Sequence, residues 1–254
     1  MSVERSVFES VQVLRLSRPE KRNALTRDMY RTLADSLEAG DADASIRVSV
    51  ILGSGGHFTG GNDIADFLAT AEGEQGAPRE VLRFIELLPN LKKPLVAGVD
   101  GHAVGIGTTM LLHCDLVYAA PRATFATPFL DLGLVPEAAS SLLMPRLMGY
   151  PRAFEMLVLG ETFSAARACD AGLVNALVDP EALEVLVLAV AARLAKKPQH
   201  AVITAKRLMR CGSAAVLERT REEAAEFARC LATPEARAAF QAFMTRARPD
   251  KSRA

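Results

Sequence analysis

The sequence has no excess of positive or negative charge, because 30 Lys and Arg balance 30 Asp and Glu among its 254 residues. Without a net charge, no global field attracts nucleic acid or an anionic membrane, and we predict neither as a partner. Long hydrophobic runs are also lacking, since the apolar stretches fall well short of the ~20 residues that span a bilayer. The N-terminus has no basic start followed by an apolar segment, so we expect no signal peptide.

Cysteine and histidine patterns that build disulfide frameworks or metal sites are missing too. The histidines show no ligand spacing, and no CxxC pair occurs among Cys114, Cys169, Cys211 and Cys230. Scattered cysteines are typical of reduced thiols in a cytosolic protein. We therefore predict a cytoplasmic location, no metal site and no prosthetic group.

Short β-rich runs and helical patterns alternate in the first half of the chain. The first helix should begin at Thr26, a good N-cap residue, with Met29, Leu33 and Leu37 on one face. Such alternation predicts the α/β fold class. The predicted strands are 11–16, 47–52, 94–99 and 115–120.

Helical patterns dominate after about residue 135, with Pro180, Pro198 and Pro234 at the expected helix starts. The predicted helices are 137–148, 151–159, 164–171, 181–195, 199–211 and, with breaks, 214–246.

Three stretches could carry chemistry. "LSRPEKRNALT" (16–26) is either a solvated connector or a basic loop that meets phosphates. "GSGGHFTGGNDIADF" (53–67) is either a surface turn or a glycine loop whose N–H groups face a cavity. "GVDGHAVGIGTTMLLHCD" (98–115) places two glycines where a helix begins, so free amides there could hold a negative oxygen.

Common nucleotide and hydrolase motifs do not explain these stretches. The glycine loop lacks the Gly-Lys-Ser/Thr ending of a phosphate-binding loop, and no GxSxG occurs. Gly105 and Gly107 fit the first two positions of a dinucleotide fingerprint, but Met110 occupies the third, and Asp115 comes too early for the ribose acid. A serine hydrolase and a dinucleotide-binding protein are therefore disfavoured.

Taken in order, the three stretches and "ATFATPFLDLGLVPEAASSLL" (123–143) resemble the enoyl-CoA hydratase/isomerase superfamily, the crotonases, over roughly residues 10–180. The resemblance implies a crotonase-type spiral of repeated ββα units with a C-terminal helical region, assembled as a homotrimer or homohexamer. It implies a core over 1–195 that carries an acyl-CoA site, and a region over 196–254 for oligomerisation and coenzyme A contact. Coenzyme A enters only as part of the substrate.

The resemblance also implies site residues. "RPEKRNAL" matches the loop around the coenzyme A adenine and phosphates, which implies Lys21, Arg22 and Ala24. "FTGGNDI" and "AVGIGTTM" match the segments that supply two oxyanion-hole amides, here those of Asn62 and Ile106. The remaining residues implied to contact coenzyme A are Gly61, Asp63 and Ile64 in the glycine loop and Phe243 and Arg246 in "QAFMTRAR".

Hydratases of this family position water with two glutamates, whose places are taken here by Thr109 and Phe129. Two-glutamate hydration is therefore disfavoured. "TPFLDLGLVPEAASS" instead resembles the Δ3,Δ2-enoyl-CoA isomerase branch, which places its acid at the position of Glu137. The alternative interpretation is that Glu137 only stabilises a helix N-terminus through the helix dipole and capping.

The resemblance predicts proton transfer by Glu137 from C2 to C4 of a 3-enoyl-CoA while the two amides stabilise a dienolate. A pocket of Phe129, Leu130 and Leu134, with Thr109 nearby, should raise the pKa of the carboxyl. Two rivals stay open: hydration or another CoA-thioester lyase reaction, and a non-enzymatic role in coenzyme A sensing or RNA binding. The balanced charge and the lack of interleaved aromatic and basic residues disfavour RNA.

Overall fold

The computed structural model describes residues 3–63, 78–210 and 213–247, the side chains of residues 213 and 243–247 excepted. Its strands are β1 (Val3–Phe8), β2 (Val11–Leu16), β3 (Val48–Gly53), β4 (Leu95–Val99), β5 (His102–Val104), β6 (Leu116–Ala119), β7 (Thr124–Ala126), β8 (Phe163–Ser164) and β9 (Ala176–Leu177). Its helices are α1 (Arg27–Ala42), α2 (Arg79–Leu87), α3 (Ile106–Thr109), α4 (Ser140–Met148), α5 (Tyr150–Leu157), α6 (Ala165–Asp170), α7 (Pro180–Ala195), α8 (Gln199–Met209), α9 (Ser213–Leu231) and α10 (Pro234–Ala247).

The strands form two sheets. The larger sheet has the order β1-β2-β3-β4-β6-β9, with β1 antiparallel to β2 and the other neighbours parallel. The smaller sheet has the order β5-β7-β8, with β5 parallel to β7. The four predicted strands correspond to β2, β3, β4 and β6, and the α/β class is confirmed.

Both faces of the larger sheet are buried, which explains the nearly continuous apolar sequences of β3 and β4. On one face, α7 contributes Leu183 and Val187 to a cluster of strand valines. The other face belongs to a larger core that extends to Phe227 and Phe240 of the C-terminal helices. Residues on both sides of position 195 therefore share one core, and a functional division there stays a prediction. No helix within the described ranges is long and apolar enough to cross a membrane.

The N-cap residue and the apolar face predicted for α1 are both confirmed. The Thr26 side chain accepts a hydrogen bond from the Met29 N–H at 3.3 Å, and Met29, Leu33 and Leu37 are buried. The prediction of a helix from residue 137 was wrong, because α4 begins at Ser140. Ala138 and Ala139 both have φ of 57°, a left-handed backbone that cannot belong to a right-handed helix.

Candidate active site

The glycine loop packs against the segment that leads into α3. Thr59 pairs with β5, since its N–H donates to His102 O and its carbonyl accepts from Val104 N. Gly61 has φ of 89°, and a Cβ built on it would lie 2.8 Å from Val104 O. Only glycine therefore allows Asn62 to come this close to the start of α3.

Two backbone amides at this contact have no acceptor among the residues that the structure describes. Within the described parts of the chain, neither the Asn62 N–H nor the Ile106 N–H donates to any oxygen. Ile106 is the first residue of α3 and follows Gly105, whose φ is 56°. Because unpaired N–H groups in a protein interior are rare, these two donors are available for an oxygen of a bound molecule.

Tyr30 connects the glycine loop with the candidate base. The buried Tyr30 hydroxyl donates to the Asn62 side-chain oxygen. Burial raises the pKa of Tyr30 well above its ordinary value, and the charge of Glu137 raises it further. Since charges act on a pKa chiefly over short distances, Glu137 and the Asn62 loop lie in one neighbourhood.

Glu137 is a buried acid with an unsatisfied oxygen. Its side chain is 4% exposed, and its Oε1 has no hydrogen-bond partner among the described residues. Burial raises the pKa of Glu137 to about 8, with a further contribution from the charge of Glu223. A carboxyl with this pKa can both accept and return a proton near neutral pH.

The helix-start interpretation of Glu137 is not supported by the geometry, because another acid caps α4. The N–H groups of Ala139 and Ser141 donate to the carboxylate of Glu223, which lies on α9. Glu137 precedes the helix within a turn of residues 137–141, here called the 137–141 turn. The same turn is held by His113, whose Nε2–H donates to Ala138 O at 2.8 Å.

A cavity of about 100 Å³ lies beside the glycine loop and Gly105. Of the predicted pocket residues, Phe129 and Leu134 line it, whereas Leu130 is exposed and does not. Thr109 is buried outside this lining, and its hydroxyl oxygen has no partner in the described part of the chain. The lining residues are Gly60, Gly61, Asn62, Val104, Gly105, Pro128, Phe129, Leu132, Leu134, Phe227 and Phe240.

The basic loop lies next to the glycine loop. The Gly60 N–H donates to Arg22 O at 2.7 Å, and the Leu25 N–H donates to Gly61 O at 2.8 Å. Lys21 and Arg22 are exposed, with Arg22 at φ of 50°. Their cationic groups are therefore accessible to a phosphate.

The structure describes some of the other residues predicted to contact coenzyme A, but not all of them. The Ala24 carbonyl and the Asp63 carboxylate both accept hydrogen bonds from Arg18, so each helps to fix the basic loop. Ile64 lies outside the described residues. Phe243 and Arg246 fall within α10, but their side chains also lie outside the described part. Contact of these residues with coenzyme A stays a prediction.

Sequence reasoning missed several residues of the site. Asn23 is fully buried, and its side chain accepts from Arg18 N and donates to Ser54 O and His57 O, which shapes the basic loop. Glu223 and Phe227 share one face of α9 at a spacing of four, but nothing in that spacing indicates what the face contacts. The missed residues are Asn23, Tyr30, His113, Glu223, Phe227 and Phe240.

Comparison with known proteins places this geometry in a family. The family model for enoyl-CoA hydratase/isomerase matches residues 7–252. A structure of Pseudomonas aeruginosa OdaA is similar with a TM-score of 0.91 and 40% identity, covering 96% of this chain and 98% of that one. The predicted crotonase-type architecture is thereby confirmed.

Curated relatives include enzymes named for two reactions. Enoyl-CoA delta isomerase 2 of Rattus norvegicus is 37% identical over 82% of this chain and 54% of its own length. Crotonyl-CoA hydratase of Syntrophomonas wolfei is 34% identical over 93% of this chain and 92% of its own length. The chain spans about half the length of the delta isomerases that it matches. The chain belongs to the enoyl-CoA hydratase/isomerase family.

Proposed function

We propose that the protein is a Δ3,Δ2-enoyl-CoA isomerase that moves the double bond of an acyl-CoA by proton transfer. The observation that carries this proposal is the buried carboxyl of Glu137, whose Oε1 has no partner among the described residues and which lies in the neighbourhood of the Asn62 loop. The positions at which hydratases of the family carry their two glutamates hold Thr109 and Phe129 instead. One base without a second water-positioning acid suits isomerisation better than hydration.

The thioester oxygen accepts hydrogen bonds from the Asn62 and Ile106 N–H groups in this mechanism. Removing a proton from C2 delocalises negative charge onto that oxygen, so both donors bind the dienolate more strongly than the substrate. One preorganised donor of this kind is typically worth about 3–4 kcal/mol of barrier lowering. Because the amides are fixed by the glycine loop and by α3, they need no reorganisation during the reaction.

Glu137 carries the proton. Its carboxylate breaks the C2–H bond, and the electron pair enters a dienolate that spans the thioester oxygen and C4. The carboxyl then returns the same proton to C4, which leaves a C2=C3 double bond and regenerates the carboxylate. Burial keeps the carboxyl basic enough for the first step.

Binding of the rest of the substrate follows from the surrounding loops. We assign the exposed Lys21 and Arg22 to the coenzyme A phosphates, because exposed cationic side chains can form charge-assisted hydrogen bonds with them. The cavity between Phe129, Phe227 and Phe240 provides an apolar site for the first carbons of the acyl chain. We also propose a cytoplasmic homotrimer or homohexamer, in keeping with the family resemblance.

The first prediction is that Glu137→Gln abolishes isomerase activity with little effect on folding. Glutamine keeps the shape of the side chain but cannot accept the C2 proton, so we expect a loss of about 10²- to 10⁴-fold in kcat. The assay converts a 3-enoyl-CoA into the 2-enoyl-CoA, and exchange of the C2 proton in D2O is followed separately.

The exposed neighbouring acid provides a matched control. Asp131→Asn changes a carboxylate in the same segment and should retain wild-type turnover. A Glu137→Gln variant that exchanges and isomerises at wild-type rates would remove Glu137 from the mechanism.

Hydration of a 2-enoyl-CoA is the second candidate, favoured by the similarity to a crotonyl-CoA hydratase over nearly the whole chain. The two candidates are separated by incubating the wild-type protein with crotonyl-CoA and with a 3-enoyl-CoA. Rapid formation of 3-hydroxybutyryl-CoA together with slow isomerisation would reverse our ranking.

A further inference from the structure

Glu223 holds the backbone that presents Glu137. It lies on α9 and is 6% exposed, and both of its carboxylate oxygens accept hydrogen bonds from the 137–141 turn. Oε2 accepts from the Ala139 N–H at 2.6 Å, and Oε1 accepts from the Ser141 N–H at 2.9 Å. Glu223 therefore fixes the backbone two and four residues beyond Glu137.

The turn needs this support because its backbone is strained. Ala138 and Ala139 both have φ of 57°, a left-handed conformation that is unfavourable for a residue with a Cβ. His113 lies in the short 3-10 helix Met110–His113 that follows α3, and its Nε2–H donates to the Ala138 carbonyl oxygen at 2.8 Å. The two contacts together stabilise a conformation that alanine rarely adopts.

A buried carboxylate is a costly group with which to cap a helix. Burying a charge is unfavourable unless it is well compensated, whereas an exposed Ser, Thr, Asp or Asn at the N-cap position stabilises a helix start without that cost. The residue at the N-cap position of α4 is Ala139, whose side chain has no capping group. The charge of Glu223 thus calls for an explanation beyond helix capping.

The titratable groups around Glu137 and the 137–141 turn indicate what this charge does. Burial raises the pKa of Glu223, while hydrogen bonds from Ser141 and Ala139 and the charge of Arg219 lower it. Tyr30 is a buried neutral phenol, and burial lowers the pKa of His113 to about 4, so both are uncharged at neutral pH. Glu223, partly offset by Arg219, is therefore the charge that acts most directly on Glu137.

We propose that Glu223 is a positioning residue for Glu137: its carboxylate fixes the 137–141 turn through two amides and sets a second acid against that turn, so that the two carboxyl groups are linked. The role in proton transfer rests on the proposed function. The link between the two carboxyl groups can be measured without any turnover.

The experiment is a titration of Glu137 in protein labelled with ¹³C at the glutamate carboxyls. The Glu137 signal is assigned by its absence in Glu137→Gln, and its midpoint is compared between the wild type and Glu223→Gln. Removal of a nearby negative charge should lower the midpoint by about one pH unit or more. The acid limb of the pH profile of kcat/KM should move in the same direction.

Glu226→Gln is the matched control, because Glu226 lies one turn further along α9 and forms an ion pair with Arg229 at 2.8 Å. It should change neither the midpoint nor the turnover. A Glu223→Gln protein that folds and keeps the wild-type midpoint would show that Glu223 is only a cap, which overturns the proposal.

Glu223→Asp covers the case in which Glu223→Gln does not fold. Aspartate keeps the charge but withdraws it by one methylene, so hydrogen exchange at the Ala139 and Ser141 amides should accelerate. We expect kcat to fall about tenfold or more while KM stays within about twofold, since small misplacements of a base are costly. Unchanged exchange and unchanged kcat would contradict the proposal.

The outcomes also separate this proposal from the proposed function. A wild-type protein that does not isomerise 3-enoyl-CoA would overturn the function, yet a lower Glu137 midpoint in Glu223→Gln would still support the link between the carboxyls. An active wild type with no shift in Glu223→Gln would overturn the link alone.

Discussion

The raised pKa of Glu137 should affect the pH dependence of stability as well as catalysis. Its pKa is raised from 4.5 to about 8 in the folded protein, so between these values the folded state binds more protons than the unfolded state. Stability from this group is therefore present below about pH 4.5 and is lost as the pH rises through about 8. Each unit of the shift corresponds to about 1.4 kcal/mol.

Glutamine at position 137 cannot ionise and should remove this loss. We expect Glu137→Gln to be more stable than the wild type at about pH 9 and nearly equal to it at about pH 4. Urea unfolding of both proteins across this range measures the difference. A difference that stays constant with pH would show that Glu137 titrates normally.

The same carboxyl sets the expected pH profile of the wild-type enzyme. In the proposed mechanism the carboxylate form removes the C2 proton, so kcat/KM for a 3-enoyl-CoA should rise with pH until about 8 and then level off.

At the scale of elements, the start of α3 allows a direct test of the proposed oxyanion hole. Proline is tolerated at the first position of a helix, so Ile106→Pro removes the N–H with limited backbone disturbance. The Ile106 side chain is fully buried, so Ile106→Ala is the control that loses the packing but keeps the donor.

We expect Ile106→Pro to lower kcat by about 10²- to 10³-fold relative to Ile106→Ala. Circular dichroism verifies that both variants are folded. Equal turnover in the two would show that the Ile106 amide does not bind the thioester oxygen.

Elements whose signals are local could be predicted from the sequence, and those held by distant residues could not. The cap at Thr26 and the apolar strands depend on residues within a few positions, so α1, β3 and β4 were placed correctly. The start of α4 depends on Glu223, which lies 82 and 84 positions away from the amides that it binds. Pro136 followed by Glu137 therefore resembled a helix start that the tertiary structure does not form.

In the candidate site, too, the parts with local sequence signals could be predicted and the parts contributed by distant residues could not. Glycines indicate where backbone amides approach a ligand, so the contact between the Asn62 loop and Gly105 could be anticipated. Phe227 and Phe240 reach the cavity only because the C-terminal helices fold back onto the core. The spacing of these residues in the sequence does not indicate that they contact the cavity.

At the scale of the whole molecule, exposed apolar side chains support self-association. Tyr150 and Phe154 form an aromatic pair on α5 and are 67% and 46% exposed, and Met209 at the end of α8 is 79% exposed. Large apolar side chains at a surface commonly mark contacts between proteins. Light scattering should give three or six times the chain mass of 27.2 kDa, whereas the mass of one chain at micromolar concentration would exclude the proposed assembly.

Glu223 and Phe227 lie one turn apart on the same helix, and this arrangement has a consequence for redesign of substrate selectivity. The ring of Phe227 borders the apolar cavity, and the carboxylate of Glu223 binds the turn that carries the proposed base, Glu137. A smaller residue at position 227 that admits a bulkier acyl group would also alter the packing of α9 against the core. Chain-length preference and turnover number would then change together, so libraries that vary position 227 need compensating changes around position 223 to improve one without losing the other.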